Sequence, residues 1–407
     1  MTKTKYFFLI LVLGSLTALG PFSIDMYLPA FPIIARDLRT TTEQVAISLS
    51  SFFIGISLGQ LLYGPLLDRF GRKKPLYVGL FVYILASIGC VFVASLNQLI
   101  LFRAIQAIGS CAAAVASVAM VRDLFPVKDS AKVFALLMLV VGVSPMIAPT
   151  VGSYITLLFG WHAVFYALLA LGVLNLISSF FWLPESFEPD TTLSLKPMPI
   201  LKNFFSVIVE PQFYTYCITG AISFSGLFAY VAGSPMVFME VYHVDTETYG
   251  WIFAILSIGL IGSSQVNSIL LKKYKSEKII FVALSTQVIL TAFFLFGAAN
   301  NWFSLIQTIV LLFLFLCCLG FTNPNTAALS LAPFQKNAGS ASALLGAIQM
   351  GIGAIASSIL SIFEFKSSIP MISVMATTSL LAFIILITCR RNIKVKVIGE
   401  SDSVILH

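Results

Sequence analysis

Charge is scarce in this chain: aspartate, glutamate, lysine and arginine make up only 10% of its 407 residues, and histidine occurs three times. So few charges cannot clothe a water-soluble fold of this length, because hydrophobic residues account for 58% and the mean hydropathy is +0.98. His162, His243 and His407 fall at loop or terminal positions, which argues against a membrane-embedded hydrolase or metalloenzyme. Cys90, Cys111, Cys217, Cys317, Cys318 and Cys389 all lie in apolar stretches without metal-ligand spacing. They read as small packing residues, so neither a disulfide framework nor a metal site is expected. The chain has no G-x-x-x-x-G-K-[ST] loop and no Rossmann fingerprint, which excludes a nucleotide as energy source. Rings of charge and a carbonyl filter, the marks of a channel, are absent too. Gly55-Ile56-Ser57-Leu58-Gly59 formally matches the hydrolase elbow G-x-S-x-G. It lies in an apolar helical run with no strand before it and reads as a small-residue packing face.

What the chain has in quantity is long apolar runs. They predict twelve spans near residues 6–31, 44–66, 76–96, 98–120, 132–159, 162–183, 212–238, 248–271, 278–299, 302–323, 338–363 and 368–389, each close to the ~20 residues that a bilayer core requires. The first run, from Tyr6 through Gly20-Pro21 to Phe31, is too long for a cleaved signal peptide. The net charge of +7 sits in short loops rather than along one polar face, which reports topology and not a nucleic-acid surface. With the N-terminus inside, 20 of the 24 Lys and Arg fall in cytoplasmic segments, while Arg36, Arg39 and Lys366 lie outside and Arg103 lies within a span. That asymmetry places both termini in the cytoplasm. The longest polar interruption carries Pro184, Pro189, Pro197 and Pro199 and divides the spans six and six. The expected organisation is therefore 1–183 as an N-terminal six-helix half, 184–211 as a cytoplasmic linker, 212–389 as a C-terminal half and 390–407 as a cytoplasmic tail.

Between the second and third runs stands Gly64-Pro65-Leu66-Leu67-Asp68-Arg69-Phe70-Gly71-Arg72-Lys73-Lys74-Pro75-Leu76. It resembles the signature between helices 2 and 3 of the major facilitator superfamily, G-x-L-a-D-R-x-G-R-K-x-x-L. Gly64, Asp68, Arg69, Gly71, Arg72, Lys73 and Leu76 fall on the pattern, and Leu67 replaces its small residue. The resemblance implies two six-helix halves with the substrate site between them near the midplane. It also implies a gate: Asp68 against the N-terminal end of helix 11 near Gly339-Ser340, where free N–H groups favour an anion, and Arg72 paired with Asp123. The corresponding loop of the second half, Leu271-Lys272-Lys273-Tyr274-Lys275, keeps the cations but lacks the acid.

The fourth span holds Arg103-Ala104-Ile105-Gln106-Ala107-Ile108-Gly109, similar to the family's helix 4 motif. Arg103 and Gln106 are three apart and share a helix face. An arginine at mid-span costs at least ~2.5 kcal/mol and needs a partner. Asp25, in Ser23-Ile24-Asp25-Met26-Tyr27-Leu28-Pro29, is the only carboxylate deep in the first half and lies at a matching depth. An Asp25–Arg103 ion pair is expected, either as the proton-coupling site, with Gln106 holding the arginine when the acid is neutral, or as a purely structural lock. Tyr27, Asn323 and Gln349 are the candidate cargo-binding residues. Asn323-Pro324-Asn325 predicts a break or a kink in helix 10, and Glu240, Glu247 and Glu364, at outer span ends, are expected to be solvated.

The fifth span contains Gly142-Val143-Ser144-Pro145-Met146-Ile147-Ala148-Pro149-Thr150-Val151-Gly152-Ser153, similar to the G-x-x-x-G-P-x-x-G-G signature of the family's antiporters. Gly142, Pro149 and Gly152 match, Ala148 and Ser153 stand in for glycines, and Pro145 is additional. Prolines free carbonyls and small residues permit close approach, so this helix is expected to bend and slide against its partner across the halves, ordinary packing being the alternative. Pro29-Ala30-Phe31-Pro32, Gly160-Trp161-His162 and Gly339-Ser340-Ala341-Ser342-Ala343-Leu344-Leu345-Gly346 further resemble the Bcr/CflA branch of drug:proton antiporters. The resemblance implies an all-α integral membrane protein, a monomer of the bacterial cytoplasmic membrane without cofactor or metal. It would use the proton gradient to export amphipathic small molecules such as drugs. Export of a self-made metabolite such as a siderophore is the alternative.

Overall fold

The computed structural model describes residues 3–125, 127–189, 197–334, 338–363, 367–390 and 393. Helices α1 (Lys3–Asp25), α2 (Phe31–Asp37), α3 (Thr42–Phe70), α4 (Lys73–Val91), α5 (Leu96–Leu124), α6 (Val127–Phe159) and α7 (Trp161–Trp182) pack as one group. Helices α9 (Pro211–Pro235), α10 (Thr246–Leu270), α11 (Ser276–Ala299), α12 (Leu305–Leu331), α13 (Ala338–Leu360) and α14 (Ile369–Arg390) pack as a second. Among the described residues twelve spans are long and apolar enough to cross a bilayer, α1 and α2 together making the first. That span is interrupted by a short 3₁₀ turn over Leu28–Ala30, where Pro29 and Pro32 remove two N–H donors from the helical ladder.

Within the linker stretch 184–211, Pro197–Ile208 forms a further helix, α8. Of the break and the kink expected at Asn323-Pro324-Asn325, the break does not occur: α12 is continuous there, and Asn325 donates its side-chain amide to the Phe321 carbonyl at 2.7 Å and to Asn267 at 2.7 Å.

Four of the helices that start at the end opposite the basic loop, α3, α5, α10 and α12, are capped from their own sequence. Thr41 accepts from Gln44 N–H, Ser95 from Gln98 N–H and Asp245 from Thr248 N–H, while Ser304 and Gln307 form a capping box. The Thr248 N–H and hydroxyl hold the Asp245 carboxyl below its ordinary pKa.

The two groups meet along two seams, α3 against α13 and α6 against α10. Ser50 and Ser357 hydroxyls lie 2.7 Å apart, Ser57 donates to the Ala347 carbonyl at 2.8 Å, and Thr150 donates to the Gly250 carbonyl at 3.3 Å. Toward the end opposite the basic loop, the Thr42 hydroxyl bonds to Glu240 and the Tyr154 hydroxyl donates to Glu247 at 2.9 Å. These two glutamates are therefore partners of the first group rather than purely solvated side chains, because each span end faces the other group's hydroxyls. Glu364 lies outside the described residues. At the basic-loop end, Gly64 and Gly339 both face open space.

Candidate functional site

Arg103 is wholly buried, and the ion pair expected for it is not there. Its guanidinium donates to the Ser23 carbonyl at 2.6 Å and to Gln106 Oε1 at 2.6 Å, and it lies 4.2 Å from the centres of both the Tyr27 and Phe52 rings. The reason is helical geometry: residues two apart point to opposite sides, so a helix that turns Ser23 toward α5 turns Asp25 away. Ser23 is also among the last residues of α1, whose carbonyls have no intrahelical donor and are free to accept. Gln106 passes the network on through its amide to Ser87 Oγ at 2.8 Å, and Tyr83 and Ser23 hydroxyls lie 2.8 Å apart. The two flanking rings offer their negative faces to the cation. Tyr27, expected to meet cargo, is itself fully buried between the guanidinium and Ser48, 3.2 Å from its hydroxyl. It holds the arginine. Arg103→Lys should melt at a clearly lower temperature in detergent, because an ammonium cannot reach both acceptors while stacked between rings. The expected loss is about 2–3 kcal/mol, one charge-assisted hydrogen bond. A lysine variant that melts with the parent would show that the bonds to Ser23 and Gln106 carry no stability.

Asp25 ends α1 just before the 3₁₀ turn, is 4% exposed and makes no hydrogen bond or ion pair among the described residues. It looks across the seam instead. The Tyr230 and Tyr249 hydroxyls of the second group lie within its electrostatic reach. Tyr249 is satisfied by Ser234 at 2.9 Å, but the buried Tyr230 hydroxyl has no partner among the described residues. Neither tyrosine is marked in the sequence, because aromatic residues are too common in this chain for one to stand out.

Gly152 explains how the turn after Asp25 is held. A Cβ at this position would stand 1.8 Å from the Met26 carbonyl oxygen, so the backbone of α6 lies directly on the break in the first span. The sliding surface expected of Gly152 is thus a contact inside the first group. The contact between groups is made by its near neighbours Thr150 and Ser153, against Gly250. Pro145 and Pro149 lie inside the continuous α6, where Ser144 and Ser153 hydroxyls donate to the carbonyls of Val140 and Pro149.

In the second group, Gln349 donates to Asn323 at 2.9 Å, which brings together the two polar residues expected to meet cargo. Both are only partly buried.

At the basic loop, Arg72 donates Nε to Asp123 at 2.8 Å, as expected, and Nη1 to Asp68 at 2.7 Å. Among the described residues Asp68 makes no bond to the first turn of α13; Arg72, four residues along, takes its carboxylate, which stays half exposed. What approaches that turn is α8, through Asn203, which donates to Ser340 at 2.8 Å. Arg69, in the last turn of α3, lies 5.8 Å from the Phe70 ring. The loop also has a partner that the motif does not announce. Glu185, just after α7, accepts from the backbone N–H of Arg72 at 2.7 Å and of Lys73 at 3.1 Å, capping α4 from far along the chain. Gly71 has φ +82°, and a Cβ there would meet the Glu185 carboxylate at 3.0 Å. Ser186 donates to Asp123 at 3.0 Å, and Phe187 lies 4.2 Å from the Arg72 guanidinium carbon. Although burial opposes the Arg72 charge, the bonds from Asp123 and Asp68 prevail and hold its pKa above the ordinary value.

Comparison with known proteins agrees with this architecture. The family model described as Major Facilitator Superfamily matches residues 13–358. The chain belongs to the major facilitator superfamily. It is 32% identical to the bicyclomycin resistance protein homolog of Haemophilus influenzae over 95% of this chain and 98% of that one. It is 30% identical to the multidrug resistance protein MdtL of Klebsiella pneumoniae over 83% and 84%, and 32% identical to the uncharacterized MFS-type transporter YdgK of Bacillus subtilis over 91% and 92%. These relatives agree with the Bcr/CflA-type resemblance of its motifs. Among solved structures it superposes on a bacterial homolog of the human lysosomal transporter Spinster, with TM-score 0.71, 14% identity and 96% of each chain covered. It also superposes on a D-xylose-proton symporter, with TM-score 0.69, 14% identity and 96% and 98% covered. The protein is a multi-pass membrane transporter of small molecules, not an enzyme.

Proposed function

We propose that this protein exports amphipathic small molecules across the bacterial cytoplasmic membrane in exchange for protons, as a monomer without bound cofactor, with both termini in the cytoplasm. The observation that carries the reading is Asp25: a carboxyl buried in the spanning region, without a hydrogen bond or ion pair among the described residues, at the seam between the two groups. An ionised carboxylate left in this position would cost several kcal/mol. The arrangement is therefore that of the protonated acid, and losing the proton favours parting the seam. With the basic loop in the cytoplasm, the end at which Glu240 and Glu247 meet the first group is periplasmic. A proton taken up from outside would displace cargo and let that end close; its release inside would free the site for the next cargo molecule. The names of the relatives, bicyclomycin and multidrug resistance, support drugs as cargo class.

The test is an imposed proton gradient in everted vesicles, followed with a pH-sensitive dye while amphipathic compounds, bicyclomycin among them, are added. Cargo should discharge the gradient only where the protein is present. A panel that leaves the gradient untouched, while the same compounds cross the membrane in a protein-dependent manner, would overturn proton exchange.

A further inference from the structure

Helix α8 is too short to cross a bilayer: its 12 residues reach about 18 Å against a hydrocarbon core of about 30 Å. Its residues divide into three faces at 100° per residue. Ile200, Asn203, Phe204 and Val207 turn toward the second group, where the fully buried Val207 packs with Phe213, Cys217, Ala341 and Leu344, and Asn203 holds Ser340. Lys202 and Ser206 form a polar edge and are exposed. The remaining face is apolar yet uncovered, with Met198 75%, Leu201 59% and Phe205 66% exposed and Ile208 completing the row.

One fact about its position says what covers that face. Only Val209 and Glu210 separate α8 from Pro211, where a spanning helix begins, so the C-terminal end of α8 lies at the boundary between water and lipid. A row of large apolar side chains at that depth, edged by a lysine and backed by the spanning helices, continues the lipid-facing belt.

We propose that α8 is a membrane-surface helix, lying in the interfacial layer of the leaflet at the basic-loop end with Met198, Leu201, Phe205 and Ile208 immersed among the acyl chains. Lys202 then extends toward the phosphates, with its stem along the apolar surface. Through Asn203, the same helix ties the first turn of α13, a helix of the α3–α13 seam, to the membrane plane.

Nitroxide labels read such a face directly. Single cysteines at 201, 205, 206 and 207, in a cysteine-free background of the full chain, are labelled and reconstituted into phosphatidylethanolamine–phosphatidylglycerol vesicles. Collisions with dissolved oxygen and with a water-soluble nickel chelate are then compared. Labels at 201 and 205 should favour oxygen, the label at 206 should favour the chelate, and the label at 207 should be shielded from both. The proposal is overturned if 201 and 205 read as aqueous, like 206, or if labels at 205 broaden one another's spectra in a concentration-dependent way, which would mean that a second copy of the chain covers the face. Thermal melting of each labelled protein against the parent ensures that the pattern is read from folded molecules.

Discussion

Asp25→Asn should abolish proton release on cargo binding. When purified parent protein in weak buffer is mixed with cargo, protons should appear in the medium, because cargo binds the form that has lost its proton; the asparagine variant has none to lose. The same variant should fail to accumulate cargo against a gradient, yet still exchange neutral cargo without energy input, since asparagine imitates the protonated acid. It should also fold and melt like the parent, because Asp25 has no hydrogen bond or ion pair to forfeit among the described residues. That last point separates Asp25 from Arg103, whose loss removes several bonds. If the variant releases as many protons as the parent, or still builds a cargo gradient, the coupling group is another residue.

Gly152→Ala should be among the most damaging single-methyl additions in the chain. The added carbon would stand 1.8 Å from the Met26 oxygen, with the Met26 carbonyl carbon at 2.7 Å. All the atoms it meets are backbone, so no side-chain rotation relieves the clash and α6 must lift off the break that positions Asp25. Overpacking of this kind typically costs about 1–3 kcal/mol, to be read as a lowered melting temperature and a lowered yield from the membrane. Gly262→Ala in α10 is the control. It meets nothing within 4 Å, so helix propensity should leave it neutral or make it more stable by up to about 1 kcal/mol. Equal melting of the two variants would show that α6 does not rest on the Met26 carbonyl in the folded protein.

The architecture was legible in the sequence because a bilayer imposes one-dimensional rules. Span length and the scarcity of charge are properties of contiguous residues, and the twelve runs could be counted without knowing what touches what. The Arg72–Asp123 pair was legible through the motif. The Asp25–Arg103 pair does not form because the guanidinium takes a free carbonyl, an amide and two aromatic faces in place of an opposite charge, leaving only its Nε without a hydrogen bond among the described residues. The Ser23 carbonyl, unlike a carboxylate, leaves no trace in residue type. Its one signal was indirect: Pro29 and Pro32 announce that the first span breaks, and a broken helix exposes carbonyls. Glu185 was missed for a different reason. It stands just beyond the end of α7, and nothing in residue order says that this point returns to the start of α4. Tyr230 and Tyr249 belong to the seam, which depends on how the halves close, and no local pattern encodes that.

The stretch after α7 serves two masters. Its first residues, Glu185, Ser186 and Phe187, complete the loop of the first group, while α8, farther on, packs on the second. The chain is thus divided in its loyalties between Pro189 and Pro197, not at Pro184 where the apolar run ends. A pair of genes encoding the two pieces on either side of that later boundary would give each half its own fastening, whereas a cut at Pro184 would strip the first half of the carboxylate that caps α4.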